Sequence, residues 1–222
     1  MRSRRSAITM LALPLASTLP LYAVEESVIW TFDRLDQIGG HKTTVFGAPK
    51  LIKSEVGAAI QFDGIVDALF VDVHPLAGAE TFTWEVIFRP AAGGRPEQRF
   101  FHLQEKGSQT RLLLETRLIG DEWCLDSFAA TSIGSKALLD RNLLHPMGKW
   151  HHVAFTYDGQ TMRHFIDHKL ELSAEVALAP QGAGQTSVGV RINKVDYFKG
   201  AIQKARFTRR ALPVNEFLKL VK

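Results

Sequence analysis

Phe82-Thr-Trp-Glu-Val-Ile-Phe-Arg89 is the stretch on which the fold turns. Phe82, Trp84, Val86 and Phe88 fall on one parity and Thr83, Glu85, Ile87 and Arg89 on the other. A period of two places successive side chains on opposite faces of a strand. Outward from it the same alternation recurs in short runs over residues 28–32, 59–62, 68–73, 99–104, 111–118, 122–128, 150–157, 163–167, 186–192 and 200–207. Gly, Pro and Asp separate these runs, with Asp63-Gly64 and Asp158-Gly159 as tight turns and Pro75 closing another run. Strand signals at intervals of roughly 8–15 residues, with few long amphipathic helices, predict an all-β chain built as an antiparallel two-sheet sandwich. The tail, residues 213–221, is expected to add one short helix with Phe217, Leu218 and Val221 on a shared face.

Composition agrees with one folded domain. The chain has 222 residues, 45% hydrophobic and 23% charged, which is too apolar for a disordered polymer and long enough to bury a core without disulfides. Cys124 is the only cysteine, so neither an intrachain disulfide nor a cysteine metal cage can form. The formal charge is +4, but Arg2, Arg4 and Arg5 supply three of the positives; without them 24 basic face 23 acidic residues, a net of +1. A basic, nucleic-acid-binding protein is therefore excluded as the leading reading.

The N-terminus has the layout of a secretory signal peptide: Met1-Arg-Ser-Arg-Arg, an uncharged apolar stretch from Ala7 to Tyr22, then Ala23. Pro14 and Pro20 interrupt the apolar run, which is short for a bilayer span of about 20 residues. Residues 1–23 are thus expected to be a removable leader and residues 24–222 a single exported domain, periplasmic or extracellular, with no membrane attachment after cleavage.

Three stretches, taken in order, resemble a known family. Gly57-Ala-Ala-Ile-Gln-Phe-Asp-Gly64 resembles an early strand and turn of laminin-G-like, concanavalin-A-like jelly-roll domains. Trp150-His-His-Val-Ala-Phe-Thr-Tyr-Asp-Gly159 is similar to the central strand and turn of that family. Gly200-Ala-Ile-Gln-Lys-Ala-Arg-Phe-Thr-Arg-Arg-Ala-Leu212 is similar to its closing strand. The resemblance spans about residues 27–222 and implies a jelly roll in a family that holds lectin-like modules, adhesion domains, hydrolases and lyases. Relatives with a structural calcium hold it with acidic side chains. Here Gln203 stands where the closing strand often has Asp, leaving Asp33, Asp36 and Asp63, so no cofactor is expected and calcium is not favoured.

The strands carry one polar parity class: Glu85 with Arg89, Gln98 with His102, Arg111 with Glu115 and Arg117, and Arg191 with Asn193. One reading is a solvated outer face. The other is the concave face of the jelly roll, where planar guanidinium and carboxylate groups bind sugar hydroxyls or uronates. Under the second reading the candidate ligand-binding residues are Glu85, Gln98, His102, Glu115, Arg117, Trp123, Arg191, Asn193 and Tyr197. Under that reading Trp123 would be a stacking platform for a pyranose ring, although a core or rim position is the commoner one for such a tryptophan. A glycosidase needs two carboxylates across a cleft, but the Glu-x-Asp-x-x-Glu run of laminarinase-type relatives is absent. Tyr197-Phe-Lys-Gly200 resembles a stretch of jelly-roll alginate lyases, casting Tyr197, His102, Gln98 and Arg117 as lyase candidates. The other lyase motifs do not match. His151 and His152 are adjacent on a strand and cannot share an ion. No catalytic or metal-ligating residue is assigned. The expected role is non-catalytic recognition, with a polysaccharide or glycan as first-choice partner. The alternatives are a protein-binding adhesion or scaffold module using loops such as 91–97 and, ranked behind it, a jelly-roll polysaccharide lyase or glycoside hydrolase acting from the concave face.

Overall fold

A computed structural model describes residues 26–220 of the chain; the expected leader and Val221 lie outside them. The first part supplies β1 (Ser27–Thr31), β2 (Gln37–Ile38), β3 (His41–Phe46), β4 (Lys50–Ser54), β5 (Gly57–Asp63) and β6 (Ala68–Val71). Four long strands follow in sequence, β7 (Phe82–Pro90), β8 (Glu97–Glu105), β9 (Arg111–Ile119) and β10 (Glu122–Ala130). Then come β11 (Ser135–Leu139), β12 (His145–Pro146), β13 (His151–Tyr157), β14 (Thr161–Ile166), β15 (Lys169–Glu175), β16 (Gly184–Val188) and β17 (Lys199–Thr208).

These strands form two antiparallel sheets. The first runs β15-β14-β13-β7-β17-β5-β4 with β1 also paired to β17, and the second runs β11-β10-β9-β8-β16-β6-β3-β2 with β12 on β10. The parity read at β7 is the parity observed: Phe82, Trp84, Val86 and Phe88 belong to the core between the sheets. The rings of Trp84 and Phe101 meet edge-on at 5.2 Å, and Phe88 stacks on Phe100 at 4.4 Å, joining β7 of one sheet to β8 of the other. Burying such side chains removes on the order of 2 kcal/mol each of apolar exposure from water, so one continuous core holds the sandwich closed. The Asp158-Gly159 turn forms as expected: Gly159 has φ +97, and Asp158 Oδ1 accepts from the amides of Gln160 and Thr161.

The tail departs from expectation. In place of a helix there is a single 3-10 turn, Val214–Glu216, followed by extended backbone at Phe217. The tail finds its hydrogen bonds on the first sheet instead. The Leu218 amide donates to Glu85 Oε1 at 2.6 Å, its carbonyl accepts from His168 Nε2 at 2.9 Å, and the Glu216 carbonyl accepts from Arg206 Nη2 at 2.7 Å. Phe217 is buried with Ala154, Phe165 and Leu212 on the outer face of that sheet. Side chains thus replace the ladder a helix would have supplied.

Candidate functional site

The second sheet carries the polar face. Along β9, Leu112 and Leu114 enter the core, so Arg111, Leu113, Glu115 and Arg117 point outward. Antiparallel register sets Asp126 of β10 opposite Glu115, Phe128 opposite Leu113, and Arg99 of β8 on the other side of Glu115. Together with Ala137 and Arg191 these residues line a concavity of about 220 Å³ on the outer face.

Its electrostatics are organised around Arg117. The guanidinium donates to Asp126 Oδ2 from Nε at 2.9 Å and from Nη2 at 2.5 Å, and it pairs with Glu97. Glu115 Oε2 lies 2.8 Å from Arg117 Nη2 and 3.1 Å from Arg99 Nε, at ion-pair distance but outside hydrogen-bond alignment. Arg99 also pairs with Asp196. Burial raises the Glu115 carboxyl above its ordinary value, and Arg99 opposes the shift. Burial acts the same way on Glu97, but Arg117 and Arg99 outweigh it and hold that carboxyl below its ordinary value. Glu115, Arg117 and Asp126 are 3%, 9% and 4% exposed, so these groups are largely shielded from solvent.

Arg191 reaches the concavity because the segment between β16 and β17 folds over the sheet. The Gly189 amide donates to the Phe100 carbonyl and the Ile192 amide to His102 Nδ1, both at 3.0 Å. Lys194 and Asp196 hold left-handed backbone at φ +61 and +57. Lys194 Nζ lies 3.5 Å from the centroid of the Phe46 ring, fastening the loop on its far side. His102 therefore lies beneath this loop. Burial, and next Arg191 and Arg111, push its pKa down to about 3, so the ring is neutral with its proton on Nε2.

Of the nine candidate residues, Glu115, Arg117 and Arg191 line the concavity, with His102 on the same outer face beneath the loop. The expectation of one shared face is corrected elsewhere. Glu85 lies on the first sheet, 0% exposed under the tail, accepting from His152 Nε2 at 3.0 Å and Arg206 Nε at 2.5 Å. Arg89 is on that same outer face, stacked over Trp150. Gln98 shares sequence parity with His102, but a bulge between Arg99 and Phe101 breaks the alternation. Gln98 consequently turns to the Arg95 carbonyl and the Lys199 amide, and Arg99 takes the outer position. Trp123 is 0% exposed in the core, edge-on to Phe88 at 5.1 Å, and offers no stacking platform. Asn193 is exposed and Tyr197 half-buried in the covering loop, and neither lines the concavity.

Five lining residues escaped the sequence reading: Arg99, Leu113, Asp126, Phe128 and Ala137. Asp126 and Phe128 alternate with core residues along β10, a legible signal; Arg99 was hidden by the bulge. Two of the acidic residues considered for calcium, Asp36 and Asp63, have protein partners. Asp36 accepts both bonds of the Arg34 fork, and Asp63 Oδ1 accepts from the amides of Ile65, Val66 and Asp67. Among the described residues no group of three or more His, Cys, Asp and Glu side chains is placed to hold a metal ion. The histidines make structural contacts: His151 Nδ1 meets Asp167 Oδ2 at 2.9 Å, and His164 Nδ1 meets Ser127 Oγ at 3.1 Å.

Residues 63–216 match a laminin-G-type family described as the concanavalin A-like lectin/glucanases superfamily. No curated protein matches the chain. Among solved structures, it is similar to domain 4 of AbnA, a GH43 extracellular arabinanase from Geobacillus stearothermophilus, in complex with arabinotriose. That match has TM-score 0.66 and 16% identity, covering 89% of this chain and 100% of that domain. The binding domain of botulinum neurotoxin DC, in complex with rat synaptotagmin II, matches at TM-score 0.62 and 12% identity, covering 87% and 50%. Botulinum neurotoxin type C, whose cell entry depends upon interaction with two ganglioside molecules, matches at TM-score 0.60 and 11% identity, covering 87% and 50%. The chain spans about half the length of these two toxin chains. At such identities the likeness establishes the fold.

Proposed function

The chain belongs to the concanavalin A-like lectin/glucanases superfamily, and from that premise we propose that it is an exported, non-catalytic carbohydrate-binding module. Its site is the concavity on the outer face of β8, β9 and β10. The observation that carries this reading is the alignment of guanidinium and carboxylate groups from three neighbouring strands into one partly enclosed surface. Sugar hydroxyls both donate and accept, and fixed charged partners give them the strong, directional hydrogen bonds that set specificity. Arabinotriose bound to the AbnA domain and the gangliosides of the type C neurotoxin are consistent with glycan recognition on this fold.

The arrangement favours binding over turnover. Glu115 and Asp126 stand side by side in register and share Arg117, whereas a glycosidase sets two carboxyls on opposite sides of the scissile bond. The lyase cast does not assemble either: Gln98 has both ends occupied and His102 lies buried beneath the loop. Export rests on the charged and then apolar layout of residues 1–23. No helix among the described residues is long and apolar enough to cross a membrane.

Titration calorimetry of the purified protein against neutral and acidic polysaccharides tests the reading. Saturating heat with one glycan class supports a lectin-like module. Heat that continues at fixed polysaccharide would replace it with an enzyme, and silence across the panel would reject it in favour of a protein-binding module.

A further inference from the structure

The four guanidinia of the concavity are not equivalent. Arg99 is matched by Glu115, Glu97 and Asp196, and Arg117 by Asp126, Glu115 and Glu97. Among the described residues, neither Arg111 nor Arg191 comes within ion-pair distance of a carboxylate. Arg111 Nη1 donates only to the Gln109 carbonyl, its Nε is buried without a partner, and its plane lies over the Phe128 ring at 4.9 Å. The two cations are near enough to feel each other: burial, and next Arg191, hold the Arg111 guanidinium below its ordinary pKa. Two like charges fixed on one partly buried surface repel, and an anion between them removes the repulsion. Their planar forks match a carboxylate or sulfate through paired hydrogen bonds.

A second orphan separates a sugar from a simple ion. Asp126 is 4% exposed and lines the concavity, and its Oδ1 is buried without a hydrogen-bond partner. Beside two unmatched donors there is thus an unmatched acceptor, which suits a ligand that carries hydroxyl groups as well as a negative charge. Phe128 and Leu113 form an apolar wall between them.

We infer that this site takes an anionic sugar residue, its carboxylate or sulfate held between Arg111 and Arg191 and a hydroxyl donated toward Asp126. The inference rests on the glycan-binding reading above and narrows it to acidic glycans.

The test is calorimetry of the intact protein with three probes of equal length: trigalacturonate, a sulfated galactotriose and neutral galactotriose. Each is run on the native protein and on Arg111→Gln, Arg191→Gln, the doubly conservative Arg111→Lys/Arg191→Lys, and Arg163→Gln, whose guanidinium pairs with Asp158 on the opposite sheet. The native protein is expected to prefer an acidic probe, and whichever acidic probe binds more tightly identifies the anion. Each glutamine variant should lose about 10- to 100-fold in affinity for that probe, the range for a charged hydrogen bond. Neutral affinity should fall by clearly less than acidic affinity does, and Arg163→Gln should bind as the native protein does. The lysine pair keeps the charge and loses the fork, so it should retain part of the preference even where a glutamine variant folds poorly. Neutral galactotriose binding as well as the acidic probes, or glutamine variants that weaken all three probes alike, would overturn the acidic specificity and leave the glycan reading intact. No binding of any probe, with no other glycan bound, would overturn both.

Discussion

Replacing Glu85 with alanine should cost stability and leave ligand binding untouched, although the residue sits in the polar parity class from which the site was read. Its carboxylate is 0% exposed and accepts from His152 Nε2, Arg206 Nε and the Leu218 amide at 3.0, 2.5 and 2.6 Å. Removing one partner from a buried charged cluster costs about 3–5 kcal/mol, because the remaining groups are left desolvated and unmatched. Arg206 is 17% exposed and keeps its bond to the Glu216 carbonyl, which places the loss near the lower end. A loss of about 3 kcal/mol lowers the midpoint of a chain this size by about 6–12 °C. The tail should loosen at once, since Leu218 loses its acceptor. Burial opposes ionisation of Glu85, but His152, Arg206 and the Leu218 amide outweigh it and hold the carboxyl below its ordinary value of 4.5. As pH falls, the unfolded chain therefore takes up this proton first. The stabilisation is complete above 4.5 and disappears as pH drops through the lower native value, so the gap between native protein and Glu85→Gln should close in that window. Thermal unfolding by circular dichroism at several pH values, with hydrogen exchange at the Leu218 amide, reads all of this. A midpoint within about 2 °C of the native one, or lost glycan affinity in a protein of native stability, would refute the structural role.

Three further outcomes follow from the same geometry. Trp123→Ala should destabilise by about 3–5 kcal/mol by opening a cavity against Phe88, whereas Trp123→Phe should fold and bind glycan like the native protein; a binding loss in stable Trp123→Phe would return that residue to the site. Burial lowers the pKa of His102 to about 3 and of His164 to about 4, from an ordinary 6.5. The unfolded chain then binds these protons first, so stability should fall as pH drops below 6.5, by up to about 1.4 kcal/mol per pH unit for each ring. Urea titrations from pH 7 to 4 should show a shallower slope in His164→Asn, and equal slopes would contradict the burial account. Gly189 has φ +82, and a Cβ there would lie 2.4 Å from Phe62 Cδ1. Gly189→Ala should lose about 1–3 kcal/mol and, by shifting the loop that carries Arg191, weaken glycan binding, both measurable by calorimetry.

Strands with one buried face were legible because burial writes its period into the sequence. Strands β7, β8, β9, β10, β13 and β17 were all read. Those missed include β4 and β15 at the margins of the first sheet, β2 and β11 at those of the second, and β3 beside β2. Lys50–Ser54 and His41–Phe46 are largely exposed and carry no clean apolar alternation, whereas Lys169–Glu175 alternates Leu170, Leu172 and Ala174 with polar residues and was missed although its signal was present. They are recruited by the backbone hydrogen bonds their neighbours offer. The tail misled for a related reason, since the apolar spacing of Phe217 and Leu218 suits a helix, whereas Glu85, His168 and Arg206 supply partners for an extended chain.

The sequence by itself determined an all-β sandwich, its family, the tight turns, and the outward direction of Arg111, Glu115 and Arg117, because all of these depend on neighbours a few residues away. Tertiary structure decided which polar residues meet. Glu85 and Glu115 have equivalent local patterns, yet they lie on the outer faces of different sheets. One is sealed beneath the tail, and the other is joined by Asp126, Arg99 and a loop that returns about 75 residues later with Arg191. A single bulge at Phe100 exchanged Gln98 for Arg99. Pairing partners and bulges arise from hydrogen bonding between segments remote in the chain, and period-two alternation carries no record of either.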